Sequence, residues 1–321
     1  MLAALVNVEL ERGALMFSSD IPTASEWYRD AHHTSQPTNC CAGGDTAETI
    51  MIKLLLTDVD GTLIGTGSHI HPKVHAALQA AQKAGLHLGI CTGRPLYSLA
   101  KDYAHLVSSQ GVHIFQNGAH AGKLDGTIIH QSLLPKSAYL SLVQLSRDLG
   151  FGLEVYTTSK CYAEIQTEIS LEHQRLIQLE VQKTDLLHLP EPVVRVQWVI
   201  TPEQYGIIEA AMRPMMGISY SSASTPDLPH HLYTSVTRAG TSKLEGAQAV
   251  ANFYGLSLDQ VMMVGDGEND LEVLQGVGFG VAMGNAPDKV KHVSKAVVAH
   301  VNEGGLAQAI ALALESWVPP V

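Results

Sequence analysis

The sequence predicts an α/β fold, a doubly wound, mostly parallel, Rossmann-like core into which a second, α+β unit is inserted. Three observations carry this. An apolar run, Ile52 to Leu56, stops abruptly at Asp58, Asp60, Gly61 and Thr62, as expected of a short strand buried on both faces and ended by turn chemistry. A second run, Leu86 to Cys91, lies between two helical patterns and ends in Thr92-Gly93-Arg94. After a strand-rich interval the alternation returns at Val261 to Val264, which ends in Gly265-Asp266-Gly267-Glu268-Asn269-Asp270. Such alternation implies right-handed crossovers and a parallel sheet.

Composition narrows the function. The 321 residues are 45% hydrophobic and 16% charged, which is ordinary for a soluble globular protein. A formal net charge of −11 argues against a basic nucleic-acid footprint, and an anionic ligand would need a metal to help neutralise it. Cys40, Cys41, Cys91 and Cys161 show no C-x-x-C spacing, so a reduced, cytoplasmic protein is expected. No apolar run approaches the roughly 20 residues of a membrane span. Glu9, Glu11 and Arg12 interrupt the only apolar stretch at the N-terminus, which does not read as a signal peptide.

Taken in order, residues 1–50 are rich in Ser, Thr, Pro, Asn, Gly and His and are expected to be a disordered extension. The core then begins near Met51. Pro72 to Gly85 has helical spacing with Pro in the first turn and Gly as the stop, and Pro95 to Val107 reads as the next helix. A third strand, Val112 to Phe115, precedes two short β pieces set between Asn117-Gly118 and Asp125-Gly126 turns. Helix Ser137 to Leu149, strands Leu153 to Thr157 and Cys161 to Ile165, helix Glu168 to Glu180, strand Val193 to Ile200, helix Pro202 to Met212, and strands Ile218 to Ser222 and Leu232 to Thr237 make up the insert. The expected division is a core of residues 51–134 and 239–321 and an α+β cap of residues 135–238. Thr241 to Tyr254 is helical with Lys243 in its first turn, and Gly278 to Met283 and Gly305 to Trp317 close the chain as strand and helix.

Parallel strands put their C-terminal ends on one edge of a sheet, where open α/β sheets bind ligands. Asp58, Asp60, Thr92, Lys243, Asp266 and Asp270 can therefore converge. Several carboxylates with only oxygen ligands suit Mg²⁺, while Lys243, the Thr92 hydroxyl and turn amides supply donors for a phosphate. A carboxylate beside that phosphate can attack phosphorus, and a second, two residues on, can move protons. Each motif alone has a plainer reading. Asp58 and Asp60 fit a solvated turn, Thr92-Gly93 a capping turn, and Asp266 with Asp270 a pair at a helix N-terminus.

Together, D-V-D-G-T at Asp58, T-G-R at Thr92, Lys243 and G-D-G-E-N-D at Gly265 resemble, in order and spacing, the four motifs of the haloacid dehalogenase superfamily. About thirty residues separate Asp58 from Thr92, too few for an inserted domain, whereas about one hundred and fifty separate Thr92 from Lys243. A C2-type α+β cap at the second place is similar to the Cof-type subfamily, mostly phosphatases of sugar phosphates, phosphorylated cofactors and related metabolites. Asn117-Gly118-Ala119 and Val281-Ala282-Met283-Gly284-Asn285-Ala286 match it too. The resemblance implies Asp58 as nucleophile and Mg²⁺ ligand, and Asp60 as general acid/base with its main-chain carbonyl on the metal. It implies Asp266 and Asp270 as further metal ligands, and Thr92, Gly93, Lys243 and Asn269 around the phosphoryl group or its loop. Leu244 and Glu245 depart from the small residues usual after the motif lysine, and Thr234 and Ser235 stand where relatives often carry an acidic residue.

The resulting expectation is a Mg²⁺-dependent phosphomonoesterase acting on a small phosphorylated metabolite through an aspartyl-phosphate. A phosphomutase of the same superfamily, or a non-catalytic metabolite-binding module, are the competing readings. His69 with His71, and His230 with His231, lack metal-ligand spacing and read as surface or loop residues. Trp198 reads as core, Arg94 as structural, and Arg195 as a cap contact to a second anionic group.

Overall fold

A computed structural model describes residues 51–225 and 228–316, so the expected extension at residues 1–50 lies outside the described residues. Strand β1 (Leu54–Thr57) has a parallel neighbour on each side and is wholly buried, because both of its faces are covered. Its side chains alternate between two cores. Leu55 packs with Val74, Leu78 and Met262, whereas Leu54 and Leu56 pack with Ala247, Val250 and Met263. Helix α1 (Pro72–Ala84) starts on a His71 side-chain cap with Pro at its first position, and ends at Gly85 in the left-handed conformation.

Strand β2 (His87–Ile90) follows, then helix α2 (Ala100–Val107). This helix is shorter than its pattern. Ser98 Oγ donates to the Pro95 carbonyl and accepts from the Ala100 amide, holding residues 95–99 in turns. Strand β3 (His113–Phe115) does not extend the parallel sheet as expected. It meets β2 in a single parallel bridge, Cys91 to Ile114, and instead forms a three-stranded antiparallel sheet with β4 (His120–Gly122) and β5 (Ile128–Gln131). The His113 ring is the reason, since its Nδ1 accepts the Ile90 amide at 3.2 Å where a ladder carbonyl would otherwise sit.

The cap runs through α3 (Lys136–Leu149), β6 (Leu153–Tyr156), β7 (Cys161–Ala163), α4 (Glu168–Ile177), β8 (Val181–Lys183), β9 (Arg195–Ile200), α5 (Pro202–Met212), β10 (Ile218–Thr225) and β11 (Leu228–Arg238). Its sheet order is β10-β11-β9-β6-β7-β8. Strand β8 was not expected, and α4 stops three residues short of its expected end at Glu180. Gln178 turns left-handed, at φ 51°, and ends the helix without a Gly or Pro. Period-two alternation splits the sheet's faces. Val155, Val196 and Trp198 pack under α3 and α5, with Trp198 Nε1 donating to Ser146 Oγ at 3.3 Å, so Trp198 belongs to the core. Glu154, Tyr156, Arg195 and Gln197 lie on the opposite face.

Helix α6 (Lys243–Phe253) is capped by Ser242 Oγ, which accepts the Glu245 amide. The core resumes with β12 (Val261–Gly265), α7 (Leu271–Gly276), β13 (Phe279–Ala282), α8 (Asp288–Val293), β14 (Ala296–Val297) and α9 (Gly305–Ser316). The parallel sheet has the order β14-β13-β12-β1-β2, which places β1 and β12, carriers of the two acidic motifs, side by side. No helix among the described residues is long and apolar enough to cross a membrane.

Candidate active site

The paired strands β1 and β12 end at the same level, with Thr57 opposite Val264. Asp58 and Asp266 therefore leave adjacent strand ends on the same edge of the sheet. Lys243 enters from the start of α6, and its Nζ donates 2.6 Å bonds to Oδ1 of Asp58 and Oδ1 of Asp270. Lys243, Asp58 and Asp270 are all buried. Carboxylate oxygens of Asp58, Asp266 and Asp270 lie within 4.8 Å of one another.

The loop after β12 is organised by Asp270, whose Oδ2 accepts the amides of Asp266 (3.2 Å) and Gly267 (3.0 Å). Asp266 is held in turn by Thr62 Oγ1 at 2.9 Å and Asn285 Nδ2 at 3.1 Å. Asn285 also donates to the Gly61 carbonyl at 2.8 Å and accepts the Val301 amide. Thr62 and Asn285 both stood in recognised motifs, yet only their contacts across the chain give them a role. Gly61 has φ +80°, and a Cβ there would run into the Asp266 carboxylate, so the glycine permits the close approach of these loops.

Electrostatics follow from burial. It pushes the Asp58 carboxyl up, to about 8, with Asp270 and Asp60 adding to the shift and Lys243 opposing it. Asp266 is pushed up to about 6, again by burial first, with Asp270 and Asp60 adding and the Thr62 hydrogen bond opposing. Burial alone would lower Lys243, but Asp270 and Asp58 hold its ammonium well above the ordinary value. One fixed ammonium thus faces three carboxylates. A divalent cation ligated by oxygen fits this excess of negative charge. Oδ2 of Asp58 makes no hydrogen bond to the described protein.

Asp60 is placed differently. Its carboxylate is exposed and takes two bonds from Arg94, Nε to Oδ2 at 2.9 Å and Nη2 to Oδ1 at 2.6 Å. Its side chain is thus outside the cluster of Asp58, Asp266 and Asp270. The Arg94 side chain thus pairs with the expected proton-transfer group. Thr92 is buried, and its Oγ1 accepts the Arg94 amide at 3.2 Å. Asn269 Nδ2 donates to Asn117 Oδ1 at 3.1 Å. Gly93 lies beside the same Asn117 side chain.

Among the described residues this carboxylate group holds no histidine or cysteine, and Cys91 and Cys161 are free and buried. His71 serves as the α1 cap.

A model of the haloacid dehalogenase-like hydrolase family matches residues 55–310. The chain belongs to that family. The 5-amino-6-(5-phospho-D-ribitylamino)uracil phosphatase YitU of Bacillus subtilis is 27% identical over 268 residues, spanning 79% of this chain and 95% of the relative. The solved structure of the phosphatase BT1666 from Bacteroides thetaiotaomicron superposes with a TM-score of 0.70 at 26% identity, covering 85% of this chain and 99% of that one. The subclass IIB sugar phosphatase BT4131 shares the fold, with a TM-score of 0.67 at 24% identity over 80% of this chain and 97% of that one. This haloacid dehalogenase family member is a phosphoric monoester hydrolase. Its architecture is the parallel core with an inserted mixed-sheet cap.

Proposed function

We propose that this phosphatase is Mg²⁺-dependent and hydrolyses phosphomonoesters of small metabolites, sugar phosphates or phosphorylated cofactors, through an aspartyl-phosphate on Asp58. The observation that carries the reading is Lys243 Nζ, 2.6 Å from both Asp58 and Asp270, beside an oxygen-only ligand set completed by Asp266. Asp58, Asp266, Asp270 and the Asp60 carbonyl would hold the ion, which supplies charge neutralisation for the phosphoryl oxygens when bound.

The chain's own groups then divide the work. Oδ2 of Asp58 attacks phosphorus while Lys243 keeps Oδ1 engaged and the carboxylate oriented. Asp60, released from part of its Arg94 pairing, gives a proton to the leaving oxygen and afterwards takes one from the attacking water. Lys243, the Thr92 hydroxyl and the Gly93 loop hold the phosphoryl oxygens, with Asn269 and Asn117 bracing the two loops. The core of residues 51–134 and 239–321 supplies these groups, and the cap of residues 135–238 closes over the leaving group.

The test is phosphate release from a panel of phosphorylated sugars, cofactors and nucleotides, with and without Mg²⁺. Mg²⁺-dependent release that Asp58→Asn abolishes is the expected result. Release untouched by the substitution overturns the assignment of the nucleophile, and phosphoryl return to a sugar bisphosphate identifies a mutase instead.

A further inference from the structure

Six arginines lie among the described residues, and five of them pair with a carboxylate: Arg94, Arg147, Arg175, Arg213 and Arg238. Arg195 is the exception, and it is only 5% exposed. No carboxylate of the described residues lies within 4.0 Å of it, in a chain whose net charge is −11. A buried guanidinium without an anion is costly, so an anion that arrives with the ligand would relieve the cost.

The place fits such a group. Arg195 sits on the cap-sheet face opposite Trp198, and its Nη1 donates at 2.9 Å to the carbonyl of Gly93, in the expected phosphate loop. Its plane lies over the Tyr156 ring, 4.0 Å from the centroid, an arrangement that holds the guanidinium without neutralising it. The acidic neighbour on that face, Glu154, is already engaged by Tyr156 OH at 2.6 Å, by His173 Nδ1 and by Gln197. Nε of Arg195 is buried with no partner, and Nη2 has none among the described residues. These adjacent donors form the side-on fork that matches a carboxylate or phosphate.

A second orphaned atom lies on the same seam. Gln116 bridges the two segments that flank Arg195, its amide N–H donating to the Arg94 carbonyl at 3.1 Å and its Nε2 to the Thr157 carbonyl at 2.9 Å. Its Oε1 is buried without a partner, an acceptor suited to a hydroxyl.

We propose that Arg195 forms a subsite for a second anionic group on the substrate, with Gln116 accepting from a neighbouring hydroxyl. The substrate class is then a phosphomonoester whose leaving group carries a carboxylate or a further phosphate. This inference rests on the phosphatase reading of the Asp58 site.

Steady-state kinetics on matched pairs test it. In one arm 2-phosphoglycolate is compared with 2-hydroxyethyl phosphate, and in the other a hexose 1,6-bisphosphate is compared with the hexose 6-phosphate. Wild type should favour the member with the second anionic group in at least one pair, and the responding arm tells a carboxylate from a second phosphate. Arg195→Gln should lower kcat/KM for that member about 10- to 100-fold more than for its partner without the second anionic group, with part of the preference restored in Arg195→Lys. Equal losses for both members would make Arg195 a structural latch on Gly93 and overturn the proposal, as would a wild type without preference. Calorimetric binding of the same pairs to Asp58→Asn reads the preference without turnover. Failure to hydrolyse even p-nitrophenyl phosphate with Mg²⁺ would instead strike the phosphatase reading itself.

Discussion

Asp60 and Lys243 are where single side chains make separable predictions. If Asp60 protonates the leaving oxygen, Asp60→Asn should lower turnover of alkyl phosphates by about 10²- to 10⁴-fold. It should spare the first step with p-nitrophenyl phosphate, whose leaving group needs no proton. A stopped-flow burst of nitrophenolate followed by slow turnover is the expected trace. Lys243→Met removes the one ammonium between two buried carboxylates, and loss of a single partner from such a group costs about 3 to 5 kcal/mol. Urea unfolding should show that loss, with part of it recovered on adding Mg²⁺. Among the site residues, Asp58, Lys243, Asp266 and Asp270 were legible because each ends a strand or starts a helix. The Asp60–Arg94 and Asn269–Asn117 pairs were not, since they join residues 34 and 152 positions apart and no local pattern encodes them.

At the scale of elements, legibility followed burial. Strands β1 and β12 are continuous apolar runs because both faces are covered, and their positions were readable to within a residue or two. What failed was the end of α4, where a non-glycine residue turns left-handed, and the sheet membership of β3, where a histidine ring replaces a ladder acceptor. The start of α6 carries a prediction of its own. Gly118, at φ +98°, lies where a Cβ would meet the Ser242 carbonyl, and Ser242 caps the helix that presents Lys243. Gly118→Ala should therefore destabilise by about 1 to 3 kcal/mol and raise KM for phosphate esters. Unfolding midpoints and KM measured on the same preparation would check both.

For the whole molecule, buried histidines couple stability to pH. Burial lowers His113 and His120 from 6.5 to about 4, so between those values the unfolded chain binds more protons than the native one. Their contribution is fully present above pH 6.5 and is lost as pH falls toward 4. The raised carboxyls of Asp58 and Asp266 act in the opposite sense, losing stability as pH rises. A difference measurement isolates the imidazole. His113→Gln should show a stability–pH slope lower than that of wild type, less positive or more negative, by up to about 1.4 kcal/mol per pH unit over that window. Parallel slopes in urea titrations from pH 7 to 4.5 would contradict it. The fold class and the inserted cap were legible because strand–helix alternation stops and restarts. The seam between cap and core was not, because Arg195, Tyr97 and Gln116 reach backbone carbonyls on the far side, and a carbonyl acceptor leaves no mark in the sequence.

The central claim is a covalent phosphoryl group on Asp58. Its most direct test is mass spectrometry of acid-quenched Asp60→Asn enzyme turning over p-nitrophenyl phosphate with Mg²⁺, since slowed hydrolysis lets the intermediate accumulate. The account predicts a phosphoryl group on the peptide carrying Asp58, absent without Mg²⁺ and removed by hydroxylamine as an acyl phosphate should be. Phosphorylation of another residue, or an unmodified Asp58 peptide throughout a burst of nitrophenolate, would contradict it.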